Sequence, residues 1–223
     1  MPEKTSAADF LPDRMNLKAL REAAAHCRGC DLYLNATQTV FGEGARSADV
    51  LLVGEVPGHQ EDLQGRPFVG PAGALLDEAV TEAGLSRADV YITNAVKHFR
   101  WEPRGKRRLH KKPSARQIKA CRPWLEAEIS VIKPRVVVCL GATAAQSLLG
   151  NDFRISQQRG EFLVSSWSDW TIATHHPSAI LRAPEKQDRV RKRGELVDDL
   201  HLVAKKVASL AKPKAKPKRP AAR

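Results

Sequence analysis

Three continuous apolar runs constrain the fold of this chain more than any other feature. The runs are DVLLVGE (49–55), DVYITNAV (89–96) and PRVVVCLG (134–141). Segments with apolar residues at helical spacing follow them, at 73–85, at 114–132 with Ser114 as the N-cap, and at 142–150. Strands that alternate with helices indicate a parallel sheet covered on both faces. We therefore predict an α/β fold of three layers, α/β/α, with a central and mainly parallel sheet.

Weaker patterns extend this fold towards both ends of the chain. Helical periodicity also covers 13–25 and about 187–210, and 160–166 and 169–177 are two further strand candidates. These patterns predict one folded domain over 13–210 and a flexible N-terminus over 1–12. The segment 211–223 consists largely of Lys, Pro and Ala, which cannot bury a core, so we expect a disordered basic tail there.

The distribution of charge indicates the class of partner. The net charge is +12 and the isoelectric point is near 9.8, which favours a polyanion such as nucleic acid. From Lys97 to Lys112 the chain has eight Lys or Arg residues and one Glu, although a solvated surface loop would also carry such charge. No run approaches the roughly 18 apolar residues of a membrane span. The first residues lack a secretory pattern, so we expect a cytoplasmic, nucleoid-associated protein.

Four cysteines form two pairs of different spacing. Cys27 and Cys30 lie in a CRGC motif, whereas Cys121 and Cys139 are separated by 17 residues. Disulfides are not expected in a chain without an export signal. Four thiolates suit zinc or an iron–sulfur cluster, but the two CxxC pairs of a zinc ribbon are not both present. Residue chemistry alone therefore leaves zinc, an iron–sulfur cluster and buried free thiols open.

Three polar segments follow the predicted strands. They are GEVPG (54–58), TNAVKH (93–98) and HHPSAILR (175–182). Because ligands of open α/β sheets bind outside the carboxyl ends of the strands, we expect these segments to meet at one edge of the sheet. Each segment is weak evidence when taken singly, since glycine-rich turns and HPS sequences are common.

The order of these motifs resembles a known family. GEVPG, GRPFVGPAG, YITNAVK and HPSAILR, together with CRGC and the later cysteine pair, resemble the uracil-DNA glycosylase superfamily, and its iron–sulfur branch in particular. The resemblance covers roughly residues 20 to 205 and implies a uracil-DNA glycosylase-like fold. Within that branch, GKRRLHKKPS (105–114) resembles the KRRIH loop of the UdgX group, with Leu109 in place of Ile. The histidine of that loop becomes bonded to DNA, and it matches His110.

The resemblance implies roles in uracil excision for several residues. Phe68 would stack on a uracil flipped out of the DNA, and Asn94 would pair with its O4 and N3–H. His176 would donate to uracil O2 as negative charge develops there, and Glu55 would stabilise the sugar cation or orient a nucleophile. Backbone N–H groups of the GEVPG turn, around Gly54 and Val56, would help to hold the base.

The resemblance also implies covalent capture, phosphate contacts and a cofactor. His110 would attack the sugar C1′ in place of water, which leaves a protein–DNA adduct after one turnover. Phosphates would be bound by a set of basic and polar side chains: Lys106, Arg107, Arg108, Ser178 and Arg182. A [4Fe–4S] cluster would be bound by Cys27, Cys30, Cys121 and Cys139. The expected partner is uracil-containing DNA, single-stranded or duplex, bound by a monomer that does not associate with membranes.

Two departures from the UdgX pattern keep other functions open. Val56 stands where that group has Gln, and His59 replaces an acidic residue. The loss of these polar groups favours an alternative in which water completes the reaction and His110 only binds phosphate. A second alternative is a DNA-binding protein without catalysis that carries a structural metal. The combination of Glu55, Asn94 and His176 at strand ends argues against it.

Overall fold

A computed structural model describes residues 6–210 of the chain. The strands are β1 (Val50–Gly54), β2 (Val90–Asn94), β3 (Trp101–Arg104), β4 (Arg107–His110), β5 (Val136–Leu140) and β6 (Thr171–Thr174). The helices are α1 (Leu17–Ala24), α2 (His59–Gln64), α3 (Pro71–Glu82), α4 (Ala115–Ile132), α5 (Ala142–Leu149), α6 (Ile155–Gln158), α7 (Pro177–Leu181) and α8 (Lys186–Leu210). Short 3-10 helices lie at Ala7–Phe10, Asp31–Leu34 and Arg87–Asp89. No helix within 6–210 is long and apolar enough to cross a membrane.

The central sheet has four parallel strands in the order β2-β1-β5-β6. All residues of these strands are buried, as expected for a parallel sheet covered on both faces. The register pairs Gly54 with Asn94 and Val53 with Cys139, so the first two strands end side by side. This arrangement confirms the predicted three-layer α/β/α fold.

Alternate residues of the strands enter two apolar cores. On one face, Leu52 and Val138 pack with side chains of α3, α7 and α8. On the other face, Leu51 and Val137 pack with α4 and α5. Leu51 and Leu52 are fully buried, and each such side chain stabilises the fold by about 1.5–3 kcal/mol. The carboxyl ends of the strands are therefore held in place by a well-packed core on each face of the sheet.

Helix α4 begins where the sequence predicts it. Ser114 accepts a hydrogen bond from the Gln117 backbone N–H, and the Gln117 side chain accepts one from the Ser114 N–H, which completes a capping box. The helix ends at Lys133, which adopts a left-handed conformation with φ 52°. The same helix carries Cys121 near its start and Glu128 near its end.

The basic segment before α4 is a β-hairpin rather than a loop. β3 and β4 pair antiparallel, with Trp101 opposite His110 and Arg104 opposite Arg107. The turn between them contains Gly105, whose φ of 58° lies in the left-handed region that glycine adopts without strain. The apolar pattern did not predict these strands, because most of their side chains are polar and exposed.

The expected strand over 160–166 is absent from the sheet. Only Leu163 forms an isolated antiparallel bridge, with Thr171, and the rest of the segment is irregular. Val164 is largely exposed, so the apolar residues of this segment do not all face the core. The prediction of a second strand before β6 is therefore wrong.

The N-terminal segment is packed where the sequence predicted flexibility. Ser6 caps the 3-10 helix Ala7–Phe10 in a capping box, and Ala7 is fully buried beside the CRGC loop. A Cβ atom on Gly29 of that loop would lie 2.5 Å from the Ala7 backbone nitrogen, so only glycine fits there. The expectation of a flexible 1–12 is corrected over 6–12, and the predicted tail at 211–223 lies outside the described residues.

Candidate active site

A pocket of about 340 Å³ opens at the carboxyl ends of β1 and β2. Nine residues with predicted roles at the site line it: Glu55, Val56, Phe68, Asn94, Arg108, His110, His176, Ser178 and Arg182. They come from the three predicted polar segments, the GRPFVGP loop and the β3–β4 hairpin. The structure thus brings together residues that are up to 127 positions apart in the sequence, from Glu55 to Arg182.

The floor of the pocket depends on Gly54. A Cβ atom at this position would lie 2.3 Å from Asn94 Oδ1 and 2.7 Å from Phe68 Cζ. Asn94 is buried in the pocket wall, directly beside Gly54 in the sheet. The absence of a side chain at Gly54 therefore lets an amide and an aromatic ring approach each other closely.

Phe68 has a strained backbone that places its ring in the pocket. Its φ of 55° is in the left-handed region, which bulky residues rarely adopt. The first turn of α3 packs against this backbone so closely that a Cβ atom on Gly73 would overlap Phe68 O. The Phe68 ring stacks on the His176 ring with a centroid distance of 5.9 Å and an interplanar angle of 27°.

A buried ion pair fixes the segment that carries Asn94. Lys97 Nζ donates to the Asn94 backbone oxygen at 2.8 Å, to Thr93 Oγ1 at 2.6 Å and to Glu128 Oε2 at 2.5 Å. The side chains of Lys97 and Glu128 are both fully buried. Glu128 also accepts hydrogen bonds from Tyr91, Thr93 and the Gly42 N–H.

His176 is held in one tautomer by the start of α7. Its Nδ1 accepts a hydrogen bond from the Ser178 backbone N–H at 3.1 Å, and Ser178 Oγ lies 2.8 Å away. Nδ1 is therefore unprotonated and Nε2 carries the proton. Burial, with Arg182 and His110, lowers the pKa of His176 to about 4, so the ring is a neutral donor at physiological pH. His175 is bound elsewhere, with Nε2 2.6 Å from Glu195 Oε2.

Glu55 presents an unpaired carboxylate oxygen to the site. Burial raises the pKa of Glu55, while a hydrogen bond from Thr143 and the charges of Lys112 and Arg182 oppose the rise. Its Oε1 is buried and has no hydrogen-bond partner among the described residues. A buried acceptor without a partner destabilises the fold, and such acceptors are often found where a ligand or a reacting atom binds.

The hairpin delivers His110 to the rim of the pocket. The His110 ring lies 5.9 Å from the Phe99 ring, and the residue stays in contact with solvent. Partial burial and the Arg182 charge lower the pKa of His110, while Glu61 opposes the shift. The imidazole is therefore predominantly neutral at physiological pH and has a lone pair available for bonding.

Arg108 anchors the hairpin within the protein. Nη1 donates to Asp62 Oδ2 at 2.7 Å, and Nε donates to His59 Nδ1 at 3.0 Å. The guanidinium also lies over the rings of Phe99 and Trp101, at 5.3 and 5.4 Å. Most of its donors are therefore used inside the protein, and its contact with phosphate stays a prediction. His59 supports the hairpin from α2 instead of weakening it.

The other expected phosphate ligands differ in their surroundings. Lys106 and Arg107 are exposed at the hairpin turn, where both can reach a polyanion. Arg182 lies at the end of α7 on the pocket wall, close enough to lower the pKa values of His110 and His176. Ser178 already bonds His176, so its first role is to orient that ring.

Three of the four cysteines lie near one another. Cys27, Cys30 and Cys121 belong to one apolar cluster and affect each other electrostatically. Burial raises the pKa of Cys121 to about 12, while Lys97 opposes the rise, and Trp124 Nε1 lies 3.2 Å from Cys27 Sγ. Cys139 lies inside β5 in the other core, and burial alone raises the pKa of its thiol to about 12. The structure does not bring Cys139 to the other three.

His98, which follows β2, is buried beside Thr39. Its Nε2 lies 2.9 Å from Thr39 Oγ1, and that hydroxyl donates to the Ala24 carbonyl oxygen. The hydroxyl proton is thereby used, so His98 Nε2 is the donor and Nδ1 keeps a lone pair. The preceding residue, Lys97, donates its backbone N–H to Cys121 Sγ at 3.2 Å.

Comparison with known proteins identifies the family of this chain. The family described as the uracil DNA glycosylase superfamily matches residues 41–201, which is most of the chain. The chain belongs to the uracil-DNA glycosylase superfamily. The matched region contains every pocket residue discussed above, whereas Cys27 and Cys30 precede it.

Curated members of the uracil-DNA glycosylase superfamily align over most of the chain. The type-4 uracil-DNA glycosylase of Thermotoga maritima is 40% identical over 74% of this chain and 83% of its own length. That of Archaeoglobus fulgidus is 39% identical over 76% and 87%, respectively. A type-5 uracil-DNA glycosylase from Thermus thermophilus is 36% identical over 50% of this chain and 54% of its own length.

Several residues of this uracil-DNA glycosylase family site were missed from the sequence. Lys97 and Glu128 gave no signal because a buried ion pair needs two side chains that are 31 positions apart. Asp62, Thr143 and His98 were missed for the same reason. Their partners lie far away in the sequence, and a polar residue without a visible partner is normally predicted to lie on the surface.

Proposed function

We propose that this protein is a uracil-DNA glycosylase that excises uracil from DNA and is then trapped on the sugar through His110. The observation that carries the proposal is the convergence of Glu55, His110 and His176 on one pocket whose wall contains Asn94 and Phe68. Each of these groups supplies a different part of one reaction. Membership of the uracil-DNA glycosylase superfamily supports the first half of the proposal, and the hairpin histidine supports the second.

Uracil recognition rests on the Asn94 amide and the Phe68 ring. A flipped uracil offers an acceptor at O4 and a donor at N3, and the amide has one group to match each. Cytosine reverses this pattern and would leave both groups unpaired, which costs about 1–3 kcal/mol for each buried group. The Lys97 contact to the Asn94 carbonyl fixes the backbone, so the amide is already oriented before DNA binds.

Cleavage of the bond between uracil N1 and the sugar C1′ leaves the bonding electron pair on uracil. His176 would stabilise the negative charge on O2, because its Nε2–H is a neutral donor whose orientation is fixed by Ser178. The carboxylate of Glu55 would face the positive charge that develops on the sugar. Its unpaired Oε1 supports this role.

Capture by His110 completes the proposed reaction. An unprotonated imidazole nitrogen donates its lone pair to C1′, and the ring becomes an imidazolium until its other N–H proton is lost. Uracil gains one proton and leaves as the neutral base, so the reaction is balanced without water. The anchoring of the hairpin by Arg108 and Asp62 supports a high effective concentration of this nucleophile.

Cys27, Cys30 and Cys121 would hold an iron–sulfur cluster, with His98 Nδ1 as the fourth ligand. No group of three His, Cys, Asp or Glu side chains in the described part of the chain is arranged for a single metal ion. An iron–sulfur cluster is larger than one ion, and the three grouped thiols and the lone pair of His98 fit it. The cluster would supply a structural cross-link between the CRGC loop, the segment after β2 and α4.

The cluster assignment predicts different effects for two buried residues. Iron and sulfide content and the visible absorbance of anaerobically purified protein would fall in His98→Ala. They would stay unchanged in Cys139→Ala, which serves as the matched control. If Cys139→Ala loses iron and His98→Ala does not, the proposed ligand set is wrong.

The trapping proposal is tested by a denaturing gel. The full-length protein is incubated with a labelled single-stranded oligonucleotide that contains one uracil, then boiled in SDS. A shifted band that requires uracil, is lost in His110→Ser and is kept in the exposed control His201→Ser supports trapping by His110. Alkali-labile sites without a shifted band would instead identify a turnover glycosylase. If neither product forms, the protein binds DNA without catalysis.

A further inference from the structure

A second groove, larger than the uracil pocket, runs along the face of the sheet covered by α4 and α5. We call it the α4–α5 groove; it has a volume of about 720 Å³ and its principal polar and aromatic residues are Lys112, Lys119, Arg122, Thr143, Gln146 and Trp167. None of the roles assigned above uses it. Its size and its position beside the uracil pocket indicate that it could bind a ligand.

The α4–α5 groove begins at the catalytic carboxylate. Thr143, which lines the groove, lies close enough to Glu55 of the uracil pocket to lower the pKa of that carboxyl. Ala95, which also lines the groove, directly follows Asn94. Lys112 lies two residues after His110 and contributes to the groove entrance. The pocket and the groove are therefore adjacent, so a strand whose one nucleotide occupies the pocket could extend into the groove.

The groove carries positive charge without opposing charge in its lining. Lys112, Lys119 and Arg122 line it, and no Asp or Glu does. All three cations are exposed, and Lys112 and Lys119 form no ion pair within residues 6–210. Arg122 pairs with Glu126 one helical turn away, outside the groove. Exposed cations that lie close together repel one another, and a phosphodiester strand in the groove would relieve that repulsion.

The apolar part of the α4–α5 groove suits unpaired bases. The Arg122 guanidinium lies 4.8 Å from the centre of the Trp167 ring, and the ring is fixed by a hydrogen bond from Nε1 to the Leu148 carbonyl oxygen. Guanidinium planes and aromatic rings are surfaces on which unpaired bases stack. The side-chain amide of Gln146 adds donor and acceptor groups nearby.

We propose that the α4–α5 groove binds the unpaired DNA strand on one side of the flipped uridine. The stacking surfaces of Arg122 and Trp167 suit unpaired bases, so the strand would enter the groove single. This inference rests on the proposed function for the identity of the nucleotide in the pocket. The groove itself would bind single-stranded DNA whether or not that DNA contains uracil.

The first test measures binding of uracil-free single-stranded DNA to the full-length protein by fluorescence anisotropy. Lys119→Gln/Arg122→Gln should weaken binding by about tenfold at moderate salt, and should lower the slope of log K against log salt by about 1.4, or about 0.7 for each lost phosphate contact. Lys205→Gln, an exposed change in α8 on the other face of the sheet, is the matched control. If the double variant loses no more affinity and slope than Lys205→Gln, the groove does not bind the strand.

The second test asks which flank occupies the α4–α5 groove. Oligonucleotides with uracil near the 5′ end or near the 3′ end present a long flank on one side only. The double variant should lower the apparent affinity for one of these substrates and leave the other within about twofold of wild type. Equal losses on both would overturn the proposal of a single flank. If the wild type neither releases uracil nor forms an adduct, the proposed function fails, while the binding test still decides the fate of the groove.

Discussion

Replacement of Lys97 by Met tests whether the buried ion pair supports the base-reading segment. Lys97 and Glu128 have no exposed side-chain surface, and their Nζ and Oε2 atoms are 2.5 Å apart. Removal of one partner from such a pair destabilises a protein by about 3–5 kcal/mol, because the other charge stays buried. Glu128 would keep the Tyr91 and Thr93 hydroxyls and the Gly42 N–H as donors. We therefore expect the lower end, about 3 kcal/mol, or about two orders of magnitude in the folding equilibrium.

The assay is urea unfolding at pH 7, with Lys205→Met as an exposed control. Lys97→Met/Glu128→Leu removes both charges and should recover most of the lost stability, since apolar replacement of a buried pair is often neutral or stabilising. Uracil release should stay impaired in the double variant, because the backbone oxygen of Asn94 still lacks the hydrogen bond from Lys97. If the free energy of unfolding of Lys97→Met lies within about 1 kcal/mol of that of the control, the ion pair does not stabilise the fold as its burial implies.

Three further predictions concern the pocket and the hairpin. Gly54→Ala would bring a methyl group within 2.3 Å of Asn94 Oδ1, so uracil release should fall by about a hundredfold or more while circular dichroism stays unchanged; normal release would contradict the proposed floor. Asp62→Ala removes the 2.7 Å contact to Arg108, so adduct yield should fall more than uracil release on the same gel, and equal losses would argue against anchoring. Because burial and the Arg182 charge lower the pKa of His110 from 6.5, the pH at which the trapping rate has fallen to half its value in alkaline buffer should lie below 6.5, where the imidazole gains a proton. A midpoint above pH 6.5 would contradict the lowered pKa.

The sheet and its helices could be predicted because each depends on local pattern. Apolar runs gave β1, β2 and β5, and the Ser114 capping box gave the start of α4. The β3–β4 hairpin had no such signal, since its polar strands are held by Arg108 and Asp62 across 46 positions. The false strand at 160–166 shows the converse, since an apolar pattern formed only a single bridge there.

The residues of the candidate site could be predicted from the sequence better than the contacts that each of them makes. Motif order located Glu55, Asn94 and His176, and the structure puts them in one pocket. Residue type could not tell which partner each group takes. Arg108 was predicted to bind phosphate, and in the structure it bonds Asp62. Cys139 looked like the partner of Cys121 because both are cysteines, although its position inside a parallel strand fixes it in the other core.

The contact between Gly29 and Ala7 means that the residue allowed at position 29 depends on whether the N-terminal segment is present. The position directly before Cys30 in the CRGC motif can hold a residue larger than glycine only if the segment Ser6–Phe10 moves away. Relatives whose chains begin later are released from this restriction, so their sequences should show larger residues at the equivalent position. In proteins that keep the segment, removal of Ser6–Phe10 would uncover Gly29 of the cysteine loop.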